Sequence, residues 1–189
     1  MNALMKKANY ILHELGLLET VSRFGKPHVI GSCMMNLMAA RDIDIDISNE
    51  RMSIDRLHEL TQIILKKYRP TWYEAKEEIT DEGKTVWFHG FHTKVDGEVW
   101  NVDLWFFDDE TIEKAEAYCR GIMRAAESEP WKRNAILEIK RGLLERGLYS
   151  FDQFTSMDVY EAVLEKKFTT TEEFLRSYAK HPADRVDGI

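Results

Sequence analysis

Three aspartates alternate with isoleucines between positions 42 and 46, and this spacing is the clearest chemical signal in the sequence. Asp42, Asp44 and Asp46 would share one face of a β-strand, because successive side chains of a strand point to opposite faces. Carboxylates this close repel one another, and a divalent cation such as Mg²⁺, which prefers oxygen ligands, relieves that repulsion. Asp42 and Asp44 suit such an ion, and Asp46 is a further candidate ligand.

A phosphate-binding turn is predicted upstream of this strand. Gly31 and Ser32 follow a short β-prone run, 28–30, and open a helix-like stretch, 33–40. Backbone N–H groups at the start of a helix attract phosphate, glycine permits close approach, and the Ser32 hydroxyl can donate to a phosphate oxygen or cap the helix. A phosphate site next to a metal site suggests a nucleoside triphosphate as ligand.

These residues resemble a known family. Gly31-Ser32, a short helix and then Asp42-Ile-Asp44-Ile look like the signature of the DNA polymerase β-like nucleotidyltransferase superfamily, which includes antibiotic nucleotidyltransferases. The resemblance covers roughly residues 28–107. Arg41 resembles the residue before this motif in some antibiotic-modifying relatives, which favours Asp42 and Asp44 as the metal pair over Asp44 and Asp46.

The family's third carboxylate stands on a later strand, and in this chain Asp103 matches it. Strand parity puts Asn101, Asp103 and Trp105 on one face, whereas Asp108 falls outside the strand and in the opposite phase. Asp103 is therefore preferred over Asp108.

The resemblance implies transfer of a nucleoside monophosphate from a nucleoside triphosphate to an acceptor hydroxyl, with release of pyrophosphate. It implies two Mg²⁺ ions, or Mn²⁺ in their place, bridged by Asp42 and Asp44. Asp103 would hold the second ion and could also take the proton from the acceptor hydroxyl as a general base. Gly31 and Ser32 would bind the phosphates.

Other interpretations of the acidic run are weaker. A calcium-binding loop starting at Asp42 needs glycine at its sixth position and glutamate at its twelfth, where this chain has Ile47 and Ser53. An exposed acidic strand edge is an ordinary alternative, because charge on an edge discourages aggregation. Two other functions stay open: a non-catalytic binding module of the same fold, as in a toxin–antitoxin-like pair, and a metal-dependent phosphohydrolase.

Several aromatic, histidine and basic residues are expected to be structural. His89 and His92 would lie on opposite faces of a strand, which argues against joint metal ligation. Four tryptophans of the predicted meander could stack on a base or an antibiotic ring, but core packing is favoured for most of them. One residue of a basic group could reach the triphosphate, but a solvated helix face is favoured. The tryptophans are Trp72, Trp87, Trp100 and Trp105, and the basic group is Lys132, Arg133, Lys140 and Arg141.

Composition favours a small-molecule acceptor and a cytoplasmic protein. Among 189 residues, 26 basic and 33 acidic side chains give a net charge of −7, which repels polyanions on average and disfavours a nucleic-acid partner. Cys33 and Cys119 have no neighbouring Cys/His cluster, so neither a disulfide framework nor a zinc site is predicted. No apolar stretch has the length of a signal peptide core or a membrane span, so no membrane partner is predicted.

The predicted elements place the motifs in an α+β fold, a nucleotidyltransferase-like mixed and mostly antiparallel sheet flanked by helices. Helical stripes run up to Gly16 and from Ile54 to Tyr68 before Pro70. An antiparallel meander is expected from three β-rich runs separated by Asp-Glu-Gly and Asp-Gly turns. These runs are 71–80, 84–95 and 98–107.

A C-terminal helical lobe, 109–189, is expected to follow the catalytic core, 1–108. Its four predicted helices include one starting at Pro130 and two with capping-box patterns, Ser150-x-x-Gln153 and Thr170-x-x-Glu173. A loose tail is expected from His181 to Ile189.

Overall fold

The computed structural model describes residues 3–179. The chain forms two compact units, which divide between Arg120 and Gly121. No helix within the described residues is long and apolar enough to span a bilayer.

The first unit begins with the predicted amphipathic helix. Helix α1 spans Ala3–Asn9 and continues as a π-helical segment, Tyr10–Glu14. The helix ends before Gly16, whose φ of 68° lies in the left-handed region that glycine adopts without steric cost. Helix α2, Leu17–Ser22, follows directly. The helical prediction up to Gly16 is confirmed.

Within residues 3–179, five strands form one mixed sheet: β1 Lys26–Val29, β2 Asp42–Ser48, β3 Trp72–Ile79, β4 Thr85–Val95 and β5 Glu98–Phe107. Their order in the sheet is β1-β2-β5-β4-β3. Strands β2 and β5 are parallel, and the other neighbouring pairs are antiparallel. The α+β fold class and the antiparallel meander are confirmed.

The two faces of the central strands differ in chemistry. The isoleucines of β2 and the alternating apolar residues of β5 are almost fully buried in the core, while the aspartates of β2 point to the other face. The core positions are Ile43, Ile45, Ile47, Val102, Leu104 and Phe106. The strict alternation of the sequence therefore separates a packed face from a polar one.

Helix α4 spans Ile54–Tyr68, as predicted. The side chain of Ser53 caps it by accepting a hydrogen bond from the backbone N–H of Arg56 at 3.3 Å. The helix ends at Arg69, which has a positive φ of 45° and precedes Pro70. Its buried face contributes Leu57, Leu60, Ile64 and Tyr68 to the core.

The helix predicted over 33–40 is wrong in length. Helix α3 covers only Gly31–Met34. Asn36 adopts a positive φ of 55°, and the N–H of Leu37 turns back to donate to the Ser32 carbonyl at 2.9 Å. A left-handed residue with this returning hydrogen bond terminates a helix. The chain then runs without regular structure to Asp42.

In the part of the chain that the structure describes, four helices follow the sheet, as predicted, and the second of them starts at Pro130. They are α5 Asp109–Glu127, α6 Pro130–Glu145, α7 Ser156–Leu164 and α8 Thr171–Ala179. The Thr170–Glu173 capping box is confirmed: the N–H of Glu173 donates to Thr170 Oγ1 at 3.2 Å, and the N–H of Thr170 donates to Glu173 Oε2 at 3.3 Å. The Ser150–Gln153 box is wrong.

Helix α7 starts beyond the predicted box, because Thr155 and Asp158 form its capping box instead. Lys140 of α6 is 1% exposed and donates to the Tyr160 hydroxyl at 2.8 Å, so the prediction of a solvated face is wrong for this residue. Long basic side chains can bury an apolar stem when the charged end has a partner. The tail predicted from 181 to 189 lies outside the described residues.

Candidate metal and phosphate site

Three carboxylates converge on the polar face of the sheet. One oxygen each of Asp42, Asp44 and Asp103 lies within 4.8 Å of the others, and all three side chains are half-buried. The register of the parallel pair explains this convergence, because Asp44 is paired with Asp103 and Asp42 with Asn101. The structure thus brings together the three acids that the sequence proposed as metal ligands, hereafter the aspartate triad.

Asn101 links two members of the aspartate triad. Its Nδ2 donates to Asp42 Oδ1 at 2.8 Å and to Asp103 Oδ2 at 3.0 Å. Two hydrogen bonds from one amide offset part of the repulsion between the carboxylates and fix their relative position. Sequence reasoning put Asn101 on the correct face but gave it no role. The signal was its spacing, two residues before Asp103 on the same strand.

The pKa of Asp103 is raised from its ordinary value of 3.8 to about 6. Burial is the largest cause, and the nearby carboxylate of Asp42 adds to it, whereas the hydrogen bond from Asn101 opposes the rise. At neutral pH the group is mostly ionised and able to bind a cation. A carboxylate with a pKa close to neutrality is also suited to accept and release a proton.

The Gly31 turn is packed directly against the aspartate triad. Gly31 has a positive φ of 61°, and a Cβ at this position would collide with Oδ2 of Asp44 and lie 3.2 Å from its Cγ. The backbone N–H of Ile30 donates to the carbonyl of Asp44 at 3.1 Å. Ser32 is half-buried at the start of α3. Glycine is therefore required here both by the backbone angle and by the space that it leaves.

Gly90 flanks the aspartate triad on the opposite side and was missed by the sequence reasoning. It is paired with Asp103 in the β4–β5 register. A Cβ at Gly90 would lie 3.0 Å from Asp103 Oδ1 and 2.6 Å from Cζ of Phe88. The signal was a lone glycine inside a predicted strand, which often marks a close approach of other groups.

Asp46 lies apart from the aspartate triad and is 2% exposed. It is paired with His28 on one side and Trp105 on the other. Burial raises its pKa to about 7, an effect that His28 opposes and Glu116 reinforces. His28 Nδ1 lies 2.7 Å from Glu116 Oε1, so Asp46 belongs to a buried polar group between β1, β2 and α5.

Asp108 is also outside the triad. It accepts a hydrogen bond from the N–H of Thr111 at 2.7 Å, at the start of α5, and forms an ion pair with Lys84 Nζ at 2.9 Å. Arg41, before the first aspartate, pairs with Glu98. Asp108 and Arg41 thus have structural contacts of their own.

The histidines and tryptophans divide between the two faces. His89 is fully buried on the core face and His92 lies on the triad face, which confirms that they cannot share an ion. Trp87 and Trp100 are buried in the core as predicted, whereas Trp72 is 43% exposed. Trp105 is half-buried and stacks on Phe107, with ring centroids 5.5 Å apart.

Solved structures with the same fold are nucleotide-transferring enzymes. The chain is similar to a cytoplasmic RNA terminal U-transferase, with a TM-score of 0.57 and 14% identity over 87% of this chain and 48% of that one. It is similar to the Cid1 poly(U) polymerase, with a TM-score of 0.59 and 14% identity over 87% and 49%. It is also similar to the GLD-2 poly(A) polymerase in complex with GLD-3, with a TM-score of 0.60 and 14% identity over 99% and 61%.

No family model and no curated protein matches the sequence. The chain spans about half the length of the first two solved chains. At this level of identity the similarity shows the fold. The chain therefore has the nucleotidyltransferase-like fold of these solved structures, and the fold that the resemblance predicted is confirmed.

Proposed function

We propose that this protein transfers a nucleoside monophosphate from a nucleoside triphosphate to an acceptor hydroxyl and releases pyrophosphate. The observation that carries the proposal is the aspartate triad, whose oxygens lie within 4.8 Å of one another beside a glycine turn. The fold supports it, because the similar solved structures are polymerases and a terminal transferase.

The donor set of the triad suits hard divalent cations. Three carboxylates offer only oxygen ligands, and Mg²⁺ is commonly held by one or two carboxylates together with substrate phosphates. Asp42 and Asp44 would hold two ions jointly, and Asp103 would complete the site of one. The separate environment of Asp46 favours this set over the pair Asp44 and Asp46. When bound, the ions supply positive charge that offsets the negative charge developing on the phosphate oxygens.

The chain's own groups would bind the phosphates and move the proton. The Ser32 hydroxyl would donate to a phosphate oxygen, and the missing side chain of Gly31 leaves space for the phosphates close to Asp44. A carboxylate oxygen of Asp103 would accept the proton of the acceptor hydroxyl.

Two acceptor classes follow from different observations. The net charge of −7 favours a small molecule over a polyanion. The similar structures are named as enzymes that act on RNA ends or build poly(U) and poly(A), which supports an RNA end. The metal motif does not select between them, because acceptor choice depends on the surrounding surface.

The test is pyrophosphate release from each nucleoside triphosphate with Mg²⁺, in the presence and absence of acceptors. We expect release by the wild type and loss of release in Asp44→Asn. Asp81→Asn, an exposed carboxylate in the β3–β4 turn, is the matched control and should behave as the wild type. Release of inorganic phosphate instead would indicate a phosphohydrolase, and nucleotide binding without turnover would indicate a binding module; either result contradicts the proposal.

A further inference from the structure

The aspartate triad has two flanks of different character. On the β1–β2 side lies the Gly31 turn, which the proposed function assigns to the phosphates. On the β4–β3 side, Gly90 contributes no side chain beside Asp103, and the tip of the Phe88 ring lies where a Cβ of Gly90 would stand. A hydroxyl that attacks in line with the leaving pyrophosphate approaches from the side opposite to it. The β4–β3 flank is therefore the side from which the acceptor would reach the triad.

On that flank, the residues of β4 and β3 that are in register with Asn101 are aromatic. Register pairs Trp72 of β3 with His92 of β4, and His92 with Asn101 of β5. The rings of Trp72 and His92 lie 4.7 Å apart with planes inclined by 40°. Since Asn101 donates to both Asp42 and Asp103, this aromatic pair directly adjoins the residue that links two triad members.

His92 is close enough to Asp103 to act on it electrostatically. A positive charge on His92 lowers the pKa of Asp103, whereas Glu74, which is paired with Gly90, raises it. Neighbouring strands are about 4.8 Å apart, so β4 lies roughly 10 Å from β2. A ring resting on His92 would thus lie one strand from Asp103 and two strands from Asp42 and Asp44.

The exposure of Trp72 sets it apart from the tryptophans of the core. Trp100 is fully buried and Trp87 is 9% exposed, while Trp72 leaves 43% of its surface accessible on the triad face. An exposed tryptophan offers a large flat surface at a small conformational cost, and such rings stack well on planar ligands.

We propose that Trp72 and His92 form a stacking wall for a planar ring carried by the acceptor, next to the hydroxyl that receives the nucleotide. This inference rests on the proposed function and adds the chemical class of the acceptor: a hydroxyl compound with a planar, base-like ring. The ring can belong to a free small molecule or to the terminal nucleoside of an RNA, and both present the same chemistry to the wall.

The test measures nucleotidyl transfer to four acceptors: adenosine, uridine, a short single-stranded oligoadenylate and glycerol, which has hydroxyls but no ring. The variants are Trp72→Leu, which keeps apolar bulk without a ring, and Trp72→Phe, which keeps a ring. Tyr73→Ala is the matched control, because Tyr73 is 46% exposed on the same strand but points to the opposite face. The Kd of a non-hydrolysable triphosphate with Mg²⁺ is measured for each variant.

We expect Trp72→Leu to raise the KM for ring-bearing acceptors by about tenfold or more, the range of one base–aromatic contact. Trp72→Phe should stay within about threefold of the wild type, because stacking on a phenyl ring retains most of that contact. Tyr73→Ala should leave the acceptor KM unchanged, and the triphosphate Kd should be the same for all variants. Stronger transfer to adenosine or uridine indicates a free acceptor, and stronger transfer to the oligoadenylate indicates an RNA end.

Any of three results with these variants and acceptors would overturn the inference, and a fourth result follows from the wild type alone. The three are equal use of glycerol and ring-bearing acceptors, an effect of Trp72→Leu no larger than that of Tyr73→Ala, and a parallel loss of triphosphate affinity, which would assign the wall to the donor base. Pyrophosphate release by the wild type without transfer to any ring-bearing acceptor would also overturn it. Absence of pyrophosphate release altogether would instead refute the proposed function.

Discussion

Asp44 and Asp103 are direct register partners on the parallel strands β2 and β5, so their carboxylates stand side by side on one face of the sheet. A pair of like charges in this position is unfavourable unless a cation or hydrogen-bond donors offset it. Asn101 donates to Asp103 and to the third carboxylate, Asp42, and the remaining negative charge makes the site a strong candidate for divalent metal.

Replacing Gly31 should lower activity more than the cost of its positive φ alone would, because the added side chain also displaces Asp44. Gly31→Ala forces alanine into a positive φ, which costs roughly 1–2 kcal/mol, and also pushes its Cβ against Asp44. Gly97→Ala is the matched control, because Gly97 has a positive φ of 83° but no atom within 4 Å of the added Cβ. Urea unfolding and pyrophosphate release measure both effects. If Gly31→Ala and Gly97→Ala are equally active, the close approach of Gly31 to Asp44 has no effect on activity, which would contradict this prediction.

Removing the Asn101 amide should weaken the site without removing a ligand. In Asn101→Leu the two hydrogen bonds to Asp42 and Asp103 are lost, and we expect activity to fall by about 10- to 100-fold, as for other groups that orient metal ligands. The pKa of Asp103 should rise further, because the amide lowers it. The acid side of the pH–rate profile should therefore move to higher pH.

Asn101→Ser provides the graded comparison for this prediction, since one hydroxyl can replace one of the two donors. We expect its rate and its pH profile to lie between those of the wild type and Asn101→Leu. A pH profile that is unchanged in Asn101→Leu would show that the amide has no influence on Asp103.

His89 should make the fold sensitive to acid. It is fully buried between the rings of Tyr73 and Phe91, and burial lowers its pKa from 6.5 to about 4. Below pH 6.5 the imidazole of His89 is protonated in the unfolded chain but stays neutral in the folded chain. The contribution of neutral His89 to the free energy of unfolding is therefore fully present above pH 6.5 and is lost as the pH falls towards 4. At pH 5 the loss should be about 2 kcal/mol.

His89→Phe removes this contribution while filling similar space. Asp46 and Asp103 have raised pKa values and act in the opposite direction, but they are present in both proteins and cancel in the comparison. Urea unfolding of both proteins at pH 7 and pH 5 gives the difference. Identical pH dependence of the two free energies of unfolding would refute the assignment to His89.

Local patterns predicted much of the sheet. The alternation of Asp and Ile identified β2 and its polar face, and the Asp96-Gly97 turn, with φ values of 51° and 83°, correctly separated β4 from β5. Parity on β5 then singled out Asp103, because side-chain direction in a strand follows position alone.

Features that depend on tertiary contacts were not predictable in the same way. Helix α3 ends after four residues because Asn36 adopts a left-handed conformation. A single asparagine in the sequence does not predict that conformation. Asp46 has the same parity as Asp42 and Asp44, yet His28 and the neighbouring α5 helix surround it. Lys140 is buried because Tyr160, on another helix, accepts its hydrogen bond.

The most direct test of the central claim is calorimetric titration of Mg²⁺ in the presence of a non-hydrolysable triphosphate. We predict binding by the wild type and by Asp81→Asn, and at least about tenfold weaker binding by Asp44→Asn and by Asp103→Asn, because each removes one carboxylate of the aspartate triad. Asp46→Asn should bind nearly as the wild type. Unchanged Mg²⁺ affinity in Asp103→Asn, or its loss in Asp46→Asn instead, would contradict the account.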